Sequence, residues 1–182
     1  MPLSEITITH RKLTLQEARV LHEELKSTPN ILGFTVRELL RMRDVHVAEA
    51  DGVFAGAALS MDLPFRWTDI AAVYVLPGFR RLGIGDRLLG AAWDRVVERN
   101  RHVYMLSRNA SVVEWMRANE MVISKYIITA PLAVHVWMPI YMTSWHRTKE
   151  SFRKSREIQR CPQLVQGVKK NPSKSVSRRP YL

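Results

Sequence analysis

VYVLPGFRRLGIGDRLLGAAWDRVVERN, which occupies residues 73–100, changes character halfway along its length. Its first residues are apolar and partly β-branched, as is typical of a strand, and a Pro-Gly pair then ends the strand pattern. Arg80 and Arg81 follow, and Gly83 and Gly85 come just before apolar residues at helical spacing. The stretch therefore predicts a strand, a basic glycine-containing turn and a helix in direct succession.

A turn of this kind is chemically suited to bind phosphate groups. The first N–H groups of a helix have no partner within the helix, and the helix dipole adds partial positive charge at the same place. Glycines let the backbone approach an anion closely, and Arg80 and Arg81 add formal charge. The turn has neither the Gly-Lys-Ser/Thr ending of a P-loop nor the G-x-G-x-x-G spacing of dinucleotide-binding folds. It predicts a pyrophosphate site of neither common nucleotide type.

Upstream of this stretch, the sequence predicts a strand, two helices and a hairpin. ITITHRKL alternates like a strand, and both following helices have a capping box at their start, Thr14 with Glu17 and Thr35 with Glu38. The pair Asp51-Gly52 between two apolar runs predicts a tight hairpin turn, because these residue types accept positive φ angles.

Downstream, strands and helices alternate. DIAAVYV predicts a central strand, and a helix from Gly85 to about Asn100 has one apolar face, on which Trp93 is expected in the core with Trp115 of the next helix. HVYMLS predicts a strand, NASVVEWMRANE a helix, and MVISKYIIT with LAVHVWMPIYM a closing pair of strands. The order is β-α-α-β-β-β-α-β-α-β-β, which predicts an α/β domain with a mixed sheet.

The composition limits the classes of protein. The single cysteine, Cys161, excludes an intramolecular disulfide, and the six histidines show no metal-ligand spacing. The longest apolar stretch, residues 130–142, is too short to cross a bilayer and contains two prolines, and the N-terminus lacks the apolar core of a signal peptide. We therefore expect a soluble, cytoplasmic protein with no membrane partner and no bound metal.

The positive charge is concentrated near the C-terminus. Residues 147–182 contain 11 Lys or Arg against Glu150 and Glu157, and so carry +9 of the chain's formal charge of +11. We expect residues 1–145 to form the domain and residues 146–182 to form a basic tail, helical in part or disordered unless a partner binds it. The tail has three open interpretations: a solvated extension, an arm that binds nucleic acid through residues 147–179, or a segment that docks on an acidic protein surface.

The motif VYVLPGFRRLGIG closely resembles the acetyl-CoA signature of the GNAT superfamily of acetyltransferases, in which a V-x-V strand and a proline precede R/Q-x-x-G-x-G/A. MLSRNASVVEWMRANEM is similar to the strand, asparagine and helix that follow in that family, and the likeness covers roughly residues 5–142. It implies a GNAT-like mixed β-sheet with helices on both faces, with acetyl-CoA (coenzyme A) as the cofactor.

The resemblance also implies roles for individual residues. Val73 and Val75 would bind the pantetheine arm, the Val75 N–H would polarise the thioester carbonyl as an oxyanion donor, and Asn109 would contact the coenzyme. The pyrophosphate would be held, mainly by backbone N–H groups, at the loop Arg80, Arg81, Leu82, Gly83, Ile84, Gly85 and Asp86.

The general acid and base are less well defined. Met116 occupies the position where the family often has a proton-donating tyrosine, and methionine cannot donate a proton. Tyr126 and Ser107 are alternative donors. Candidate bases are His135, taken as a strand residue facing the acceptor channel, and the carboxylates Glu49 and Asp69. Trp67, in PFRWTD, is a candidate acceptor-site residue.

Two classes of function follow from these observations. The first is an N-acetyltransferase in which an amine of unknown identity attacks acetyl-CoA directly. The alternative is a weakly active or inactive GNAT-fold binding protein that acts through its basic tail on nucleic acid or an acidic protein surface. The apolar PLAVHVWMPIYM segment could supply a homodimer interface.

Overall fold

The computed structural model describes residues 5–28, 33–143, 145, 148–149 and 164–173. Seven strands and five helices occur in this part of the chain. In order they are β1 (Ile6–His10), α1 (Leu15–Ser27), α2 (Val36–Arg41), β2 (Asp44–Ala50), β3 (Val53–Leu63), β4 (Trp67–Val75), α3 (Ile84–Glu98), β5 (His102–Ser107), α4 (Ala110–Ala118), β6 (Val122–Ser124), α5 (Leu132–Met142) and β7 (Val165–Lys169), with 3-10 turns at Pro77–Phe79 and Ile127–Thr129.

All seven strands form one mixed sheet in the order β1-β2-β3-β4-β5-β7-β6. β4 and β5 pair in parallel, and the other neighbouring strands pair antiparallel. The parallel pairing covers Trp67–Asp69 against His102–Tyr104. Beyond these residues β4 and β5 separate, so the sheet opens at its centre.

The predicted local signals are confirmed. Thr14 and Thr35 cap α1 and α2, each in a complete capping box with the glutamate three residues later. Asp51 and Gly52 adopt φ angles of 50° and 76° in the turn between β2 and β3. Because these interactions depend on residues a few positions apart, the sequence alone is enough to predict them.

Helices cover both faces of the sheet. α3 and α4 pack on one face, where the Trp93 and Trp115 rings meet edge to face at 5.2 Å. α1 and α2 pack on the opposite face. α5 lies on the α1 side, over a third cluster that includes Trp67 and Tyr104. The mixed sheet with helices on both faces confirms the predicted fold class.

The prediction that LAVHVWMPIYM is a strand is wrong, because this segment forms α5. Its apolar residues are nearly continuous, so periodicity cannot distinguish a buried strand from a helix. Ala133 and Val134 are adjacent in the chain and are both buried, whereas Leu132 and Val136 are 67% and 43% exposed. Adjacent residues share a face in a helix but point to opposite faces in a strand. The same correction applies to His135, which is an exposed helical residue.

The closing strand comes instead from the segment predicted to be a tail. β7 lies between β5 and β6 and pairs antiparallel with both. The segment is held further by hydrogen bonds from Trp93 Nε1 to the Ser173 carbonyl (2.7 Å) and from the Asn171 N–H to His102 Nδ1 (3.1 Å). A domain boundary after residue 145 would therefore separate β7 from the other strands of its sheet. The remainder of the predicted tail lies largely outside the described residues.

Two observations bear on membrane and metal binding within the described ranges. No helix there has the length and hydropathy needed to cross a bilayer. No group of three or more His, Cys, Asp or Glu side chains in the same ranges is arranged to hold a metal ion.

Candidate active site

A groove of about 830 Å³ opens where β4 and β5 separate. β4 and β5 form its two walls, the turn before α3 and the start of α3 close one end, and the last turn of α1 borders the other side. Most of the predicted coenzyme residues line it, namely Val73, Val75, Arg80, Arg81, Gly83, Ile84, Gly85, Asp86 and Asn109. Leu82 belongs to the same turn but is 41% exposed and does not line the groove.

The turn presents free helix N–H groups to the groove. Gly83 is the N-cap of α3 with a φ of 73°, a left-handed conformation that glycine adopts without strain, and no side chain caps the helix. Arg81 has a φ of 65°, and Gly85 follows in the first turn of α3. An uncapped helix N-terminus in a groove that two arginines also line is suited to bind an anion.

The edge of β4 that faces the groove carries amide groups that no neighbouring strand pairs with. The Leu76 N–H donates to the Ala55 carbonyl of β3 at 2.9 Å. Because amide groups of successive strand residues point to opposite sides, the N–H and C=O of Val75 point away from β3, toward the groove. The Val75 carbonyl accepts a hydrogen bond from Arg80 Nε at 3.2 Å, which agrees with that orientation.

Arg80 also contacts a tyrosine that the sequence reasoning did not identify. Its guanidinium donates to the Tyr74 hydroxyl at 3.1 Å, and its central carbon lies 5.6 Å from the centre of the Tyr74 ring. The Tyr74 hydroxyl donates in turn to Glu24 Oε2 of α1 at 2.5 Å. Burial, and then the hydrogen bond to Glu24, raise the pKa of Tyr74. Fifty residues separate Glu24 from Tyr74, so no local sequence pattern links them.

The β5 side of the groove ends in a polar turn. The Asn109 side chain caps α4 by accepting from the Ser111 N–H at 3.0 Å, and the Asn109 N–H donates to Ser107 Oγ at 3.1 Å. Both Ser107 and Asn109 line the groove. The local cap leaves the Asn109 amide nitrogen as a hydrogen-bond donor for a ligand.

Several other candidates lie away from the groove. Tyr126 is 72% exposed next to β6, and His135 is exposed on α5; neither lines the groove. Glu49 accepts from Arg11 at 2.7 Å, and Trp67 is a buried residue of β4 that packs on the His102 ring. Of the predicted acids and bases, Ser107 lines the groove, whereas Tyr126, His135, Glu49 and Asp69 do not.

Met116 is buried in the core of the domain. It belongs to the cluster formed by α3, α4 and the sheet. Its sulfur lies 2.9 Å from the position that a β-carbon on Gly167 would occupy, so it packs tightly on β7. A side chain with these contacts stabilises the fold rather than reaching the groove.

Asp69 lies at the point where the strands separate. It pairs with Tyr104 as the last matched position of β4 and β5, and the next residue, Ile70, lines the groove. Its Oδ1 atom is buried without a hydrogen-bond partner. Burial raises the pKa of Asp69 to about 7. A carboxyl with such a pKa can accept a proton near neutral pH.

Known proteins share this fold. The sequence model of the GNAT acetyltransferase family matches residues 17–118, whereas no functionally curated protein matches the chain significantly. N-acetylglutamate synthase from Neisseria gonorrhoeae, complexed with coenzyme A and N-acetyl-glutamate, is similar with a TM-score of 0.63 and 16% identity over 93% of this chain. The chain spans only 36% of that synthase.

Two further solved structures are similar. Rv2747 from Mycobacterium tuberculosis, in complex with CoA, has a TM-score of 0.63 and 12% identity, covering 89% of this chain and 97% of that one. YncA from Salmonella typhimurium, with its cofactor acetyl-CoA, has a TM-score of 0.52 and 20% identity, covering 66% and 82%. The matched residues 17–118 are more than half of the 182-residue chain, and the chain belongs to the GNAT family of acetyltransferases.

Proposed function

We propose that the protein is an N-acetyltransferase that transfers an acetyl group from acetyl-CoA to an amine by direct attack. The observation that carries this proposal is the groove between β4 and β5, which joins an uncapped, arginine-flanked helix N-terminus to an unpaired strand edge. The first feature suits a pyrophosphate and the second suits an amide-containing arm. Membership of the GNAT family and the coenzyme bound in the similar structures support the same assignment.

The residues present in the groove fit coenzyme A. The N–H groups from Gly83 to Asp86, with Arg80 and Arg81, would hold the pyrophosphate, and Leu82 would contribute only through its backbone. The amide groups of Val73 and Val75 would hydrogen-bond the pantetheine arm as a neighbouring strand would. Asn109 would donate to the coenzyme from the β5 side.

Val75 and Ser107 would take part in the transfer itself. Bound acetyl-CoA supplies a thioester carbonyl that an amine can attack. The Val75 N–H would donate to the thioester carbonyl oxygen as that oxygen gains negative charge. This hydrogen bond stabilises the charge most strongly in a groove from which water is excluded. Ser107 is the remaining predicted donor that lines the groove and could protonate the departing sulfur, although a thiolate can also leave unassisted.

Asp69 is the proposed general base. The attacking amine must lose a proton, and a carboxyl with a pKa near 7 is ionised often enough at neutral pH to accept it. Asp69 lies on the same face as Tyr104, which is also the face on which α1 borders the groove. An acceptor that entered beside α1 would reach the strand separation from that side.

The tail-based alternative gains no support from the described residues or from the similar proteins. Binding of nucleic acid or an acidic protein through residues 147–179 and formation of a homodimer remain predictions. Most of those residues lie outside the described ranges.

Calorimetric titration of acetyl-CoA into the full chain tests the proposal. We expect micromolar binding, with about tenfold weaker binding for Arg80→Ala and for Arg81→Ala because each removes a charge beside the pyrophosphate. Arg41→Ala, an exposed position of α2, is the matched control and should bind as the parent does. Thiol release with a panel of amines then tests transfer. Absence of binding by the parent chain would exclude the proposed enzyme.

A further inference from the structure

The α1 side of the groove, where the proposed function places the acceptor, already holds a cation. The Arg80 guanidinium lies over the Tyr74 ring, 5.6 Å from its centre, and donates to the hydroxyl that itself donates to Glu24. An aromatic face, a hydroxyl oxygen and a nearby carboxylate are the groups that recognise an ammonium or guanidinium ion. In this structure the cation comes from the chain itself.

The proposed function gives Arg80 a second position. Its backbone precedes the uncapped N-terminus of α3, where the pyrophosphate would carry negative charge. The side chain is exposed, and its bonds to Val75 and Tyr74 are ordinary in length, at 3.2 Å and 3.1 Å. A pyrophosphate bound at α3 would attract this guanidinium away from Tyr74, because a charged phosphate is a stronger acceptor than a hydroxyl or a carbonyl.

Departure of Arg80 would leave the groove-lining Tyr74 ring without its cation, with the Glu24 carboxylate bound to the Tyr74 hydroxyl. The remaining side chains from α1 at this end are the hydroxyls of Ser27 and Thr28, which carry no charge. An anionic group placed here would be repelled by Glu24, and an uncharged alkyl group would gain no electrostatic attraction to the ring face or the carboxylate. A second cation would replace the one that left.

We propose that the acceptor is a primary amine that carries a second cationic group, which binds Glu24 and the Tyr74 ring in the place that Arg80 occupies here. This inference rests on the proposed function. It assigns Glu24 and Tyr74 as specificity-determining residues, and it makes the acceptor class a diamine, a basic amino acid or a peptide with a basic side chain.

Three five-carbon amines separate the possibilities: 1,5-diaminopentane, pentylamine and 5-aminopentanoate share the reacting amine and differ in the charge at the far end. Each is titrated calorimetrically into the full chain saturated with coenzyme A. We expect the diamine to bind at least tenfold more tightly than pentylamine, and 5-aminopentanoate to bind more weakly than pentylamine. With acetyl-CoA, thiol release should give the same order in kcat/KM.

Substitutions connect the preference to the site. Glu24→Gln keeps a hydrogen-bond acceptor for Tyr74 but removes the charge, and should reduce the diamine preference to less than threefold without changing coenzyme A affinity. Glu23→Gln, an exposed neighbour on α1, is the matched control and should retain the preference. Arg80→Ala should weaken coenzyme A binding but strengthen diamine binding to the coenzyme-free chain. Arg81→Ala should weaken coenzyme A binding and leave diamine binding unchanged.

The outcomes are distinguishable. If coenzyme A does not bind the parent chain, the proposed function fails and this inference falls with it. If coenzyme A binds but the three amines bind equally, or 5-aminopentanoate binds best, the inference is wrong and the coenzyme site stands. If the Glu24→Gln variant keeps the diamine preference, Glu24 does not determine specificity and the inference is wrong.

Discussion

Gly56 of β3 lies so close to β4 that a β-carbon at this position would stand 2.3 Å from the carbonyl oxygen of Tyr74. The atom in the way belongs to the backbone, so a small side-chain movement cannot relieve the clash. It lies on the strand segment that carries both the groove-facing amide of Val75 and the cation-binding ring of Tyr74.

Gly56→Ala is therefore expected to lower the free energy of unfolding by about 1–3 kcal/mol through overpacking, and to weaken acetyl-CoA binding because β4 must shift. Gly78→Ala is the matched control, since a β-carbon there would meet nothing within 4 Å. Chemical denaturation of both variants measures the difference. Equal stabilities would mean that β3 and β4 are not as close as described.

Truncation should distinguish a structural β7 from a dispensable tail. A chain ending at residue 145 loses the strand between β5 and β6, the partner of Trp93 and the Gly167 contact of Met116. We expect it to lack a cooperative thermal transition, because two strand edges and part of the core become exposed. A chain ending at Ser173 keeps these contacts and should melt within about 2 °C of the full chain. A folded, cooperative 1–145 chain would contradict the position of β7.

The raised pKa of Asp69 predicts a specific pH dependence of stability. The folded protein holds this proton more tightly than the unfolded chain, where the carboxyl has its ordinary pKa of 3.8. The contribution is therefore fully present below about pH 4 and is lost as the pH rises through about 7. Asp69→Asn should have little effect at pH 4 and should raise the free energy of unfolding by about 4 kcal/mol at pH 8.

Chemical denaturation at several pH values measures that difference. Comparing the variant with the parent at each pH cancels the other titrating groups. A pH-independent effect of Asp69→Asn would show that the Asp69 carboxyl is not buried as described.

The same carboxyl predicts the pH dependence of catalysis. If Asp69 is the general base, kcat/KM rises as the pH increases through about 7, because only the ionised form accepts a proton. Asp69→Asn should lower kcat by about 10²–10⁴-fold and abolish that rise, while the calorimetric Kd for acetyl-CoA stays within twofold of the parent value. Near-normal turnover by this variant would assign the proton to water or another group.

Introducing a tyrosine at position 116 should not improve catalysis. Met116 is fully buried against Gly167. A larger aromatic side chain in that space would overpack the core and lower the free energy of unfolding by about 1–3 kcal/mol. Met116→Tyr is expected to reduce the melting temperature without raising kcat, and Met116→Leu should preserve both. A gain in kcat for the tyrosine variant would show that position 116 reaches the groove.

Much of the fold followed from local patterns. The capping boxes at Thr14 and Thr35, the Asp51-Gly52 turn and the glycine turn before α3 each depend on residues within a few positions of one another. The interaction that decides each feature is therefore visible in a short window of sequence.

The end of the domain could not be predicted in this way. VQGVK is short and contains a polar residue and a glycine, so it has little strand signal of its own. It becomes a strand because β5 and β6 each offer an unpaired edge and because Gly167 leaves room for Met116. The sequence pattern instead predicts the closing strand at the apolar LAVHVWMPIYM, since a nearly continuous apolar run fits a strand or a helix equally well.

The glycine turn before α3, the α/β class and the family resemblance follow from the sequence alone, because they depend on motifs that are contiguous in the chain. The contacts on the α1 side of the groove depend on the tertiary structure. Glu24 meets Tyr74 across 50 residues, and Asp69 acquires its raised pKa from burial beside Tyr104. Such long-range contacts and the loss of solvent arise only when the sheet and helices pack, so no pattern of neighbouring residues encodes them.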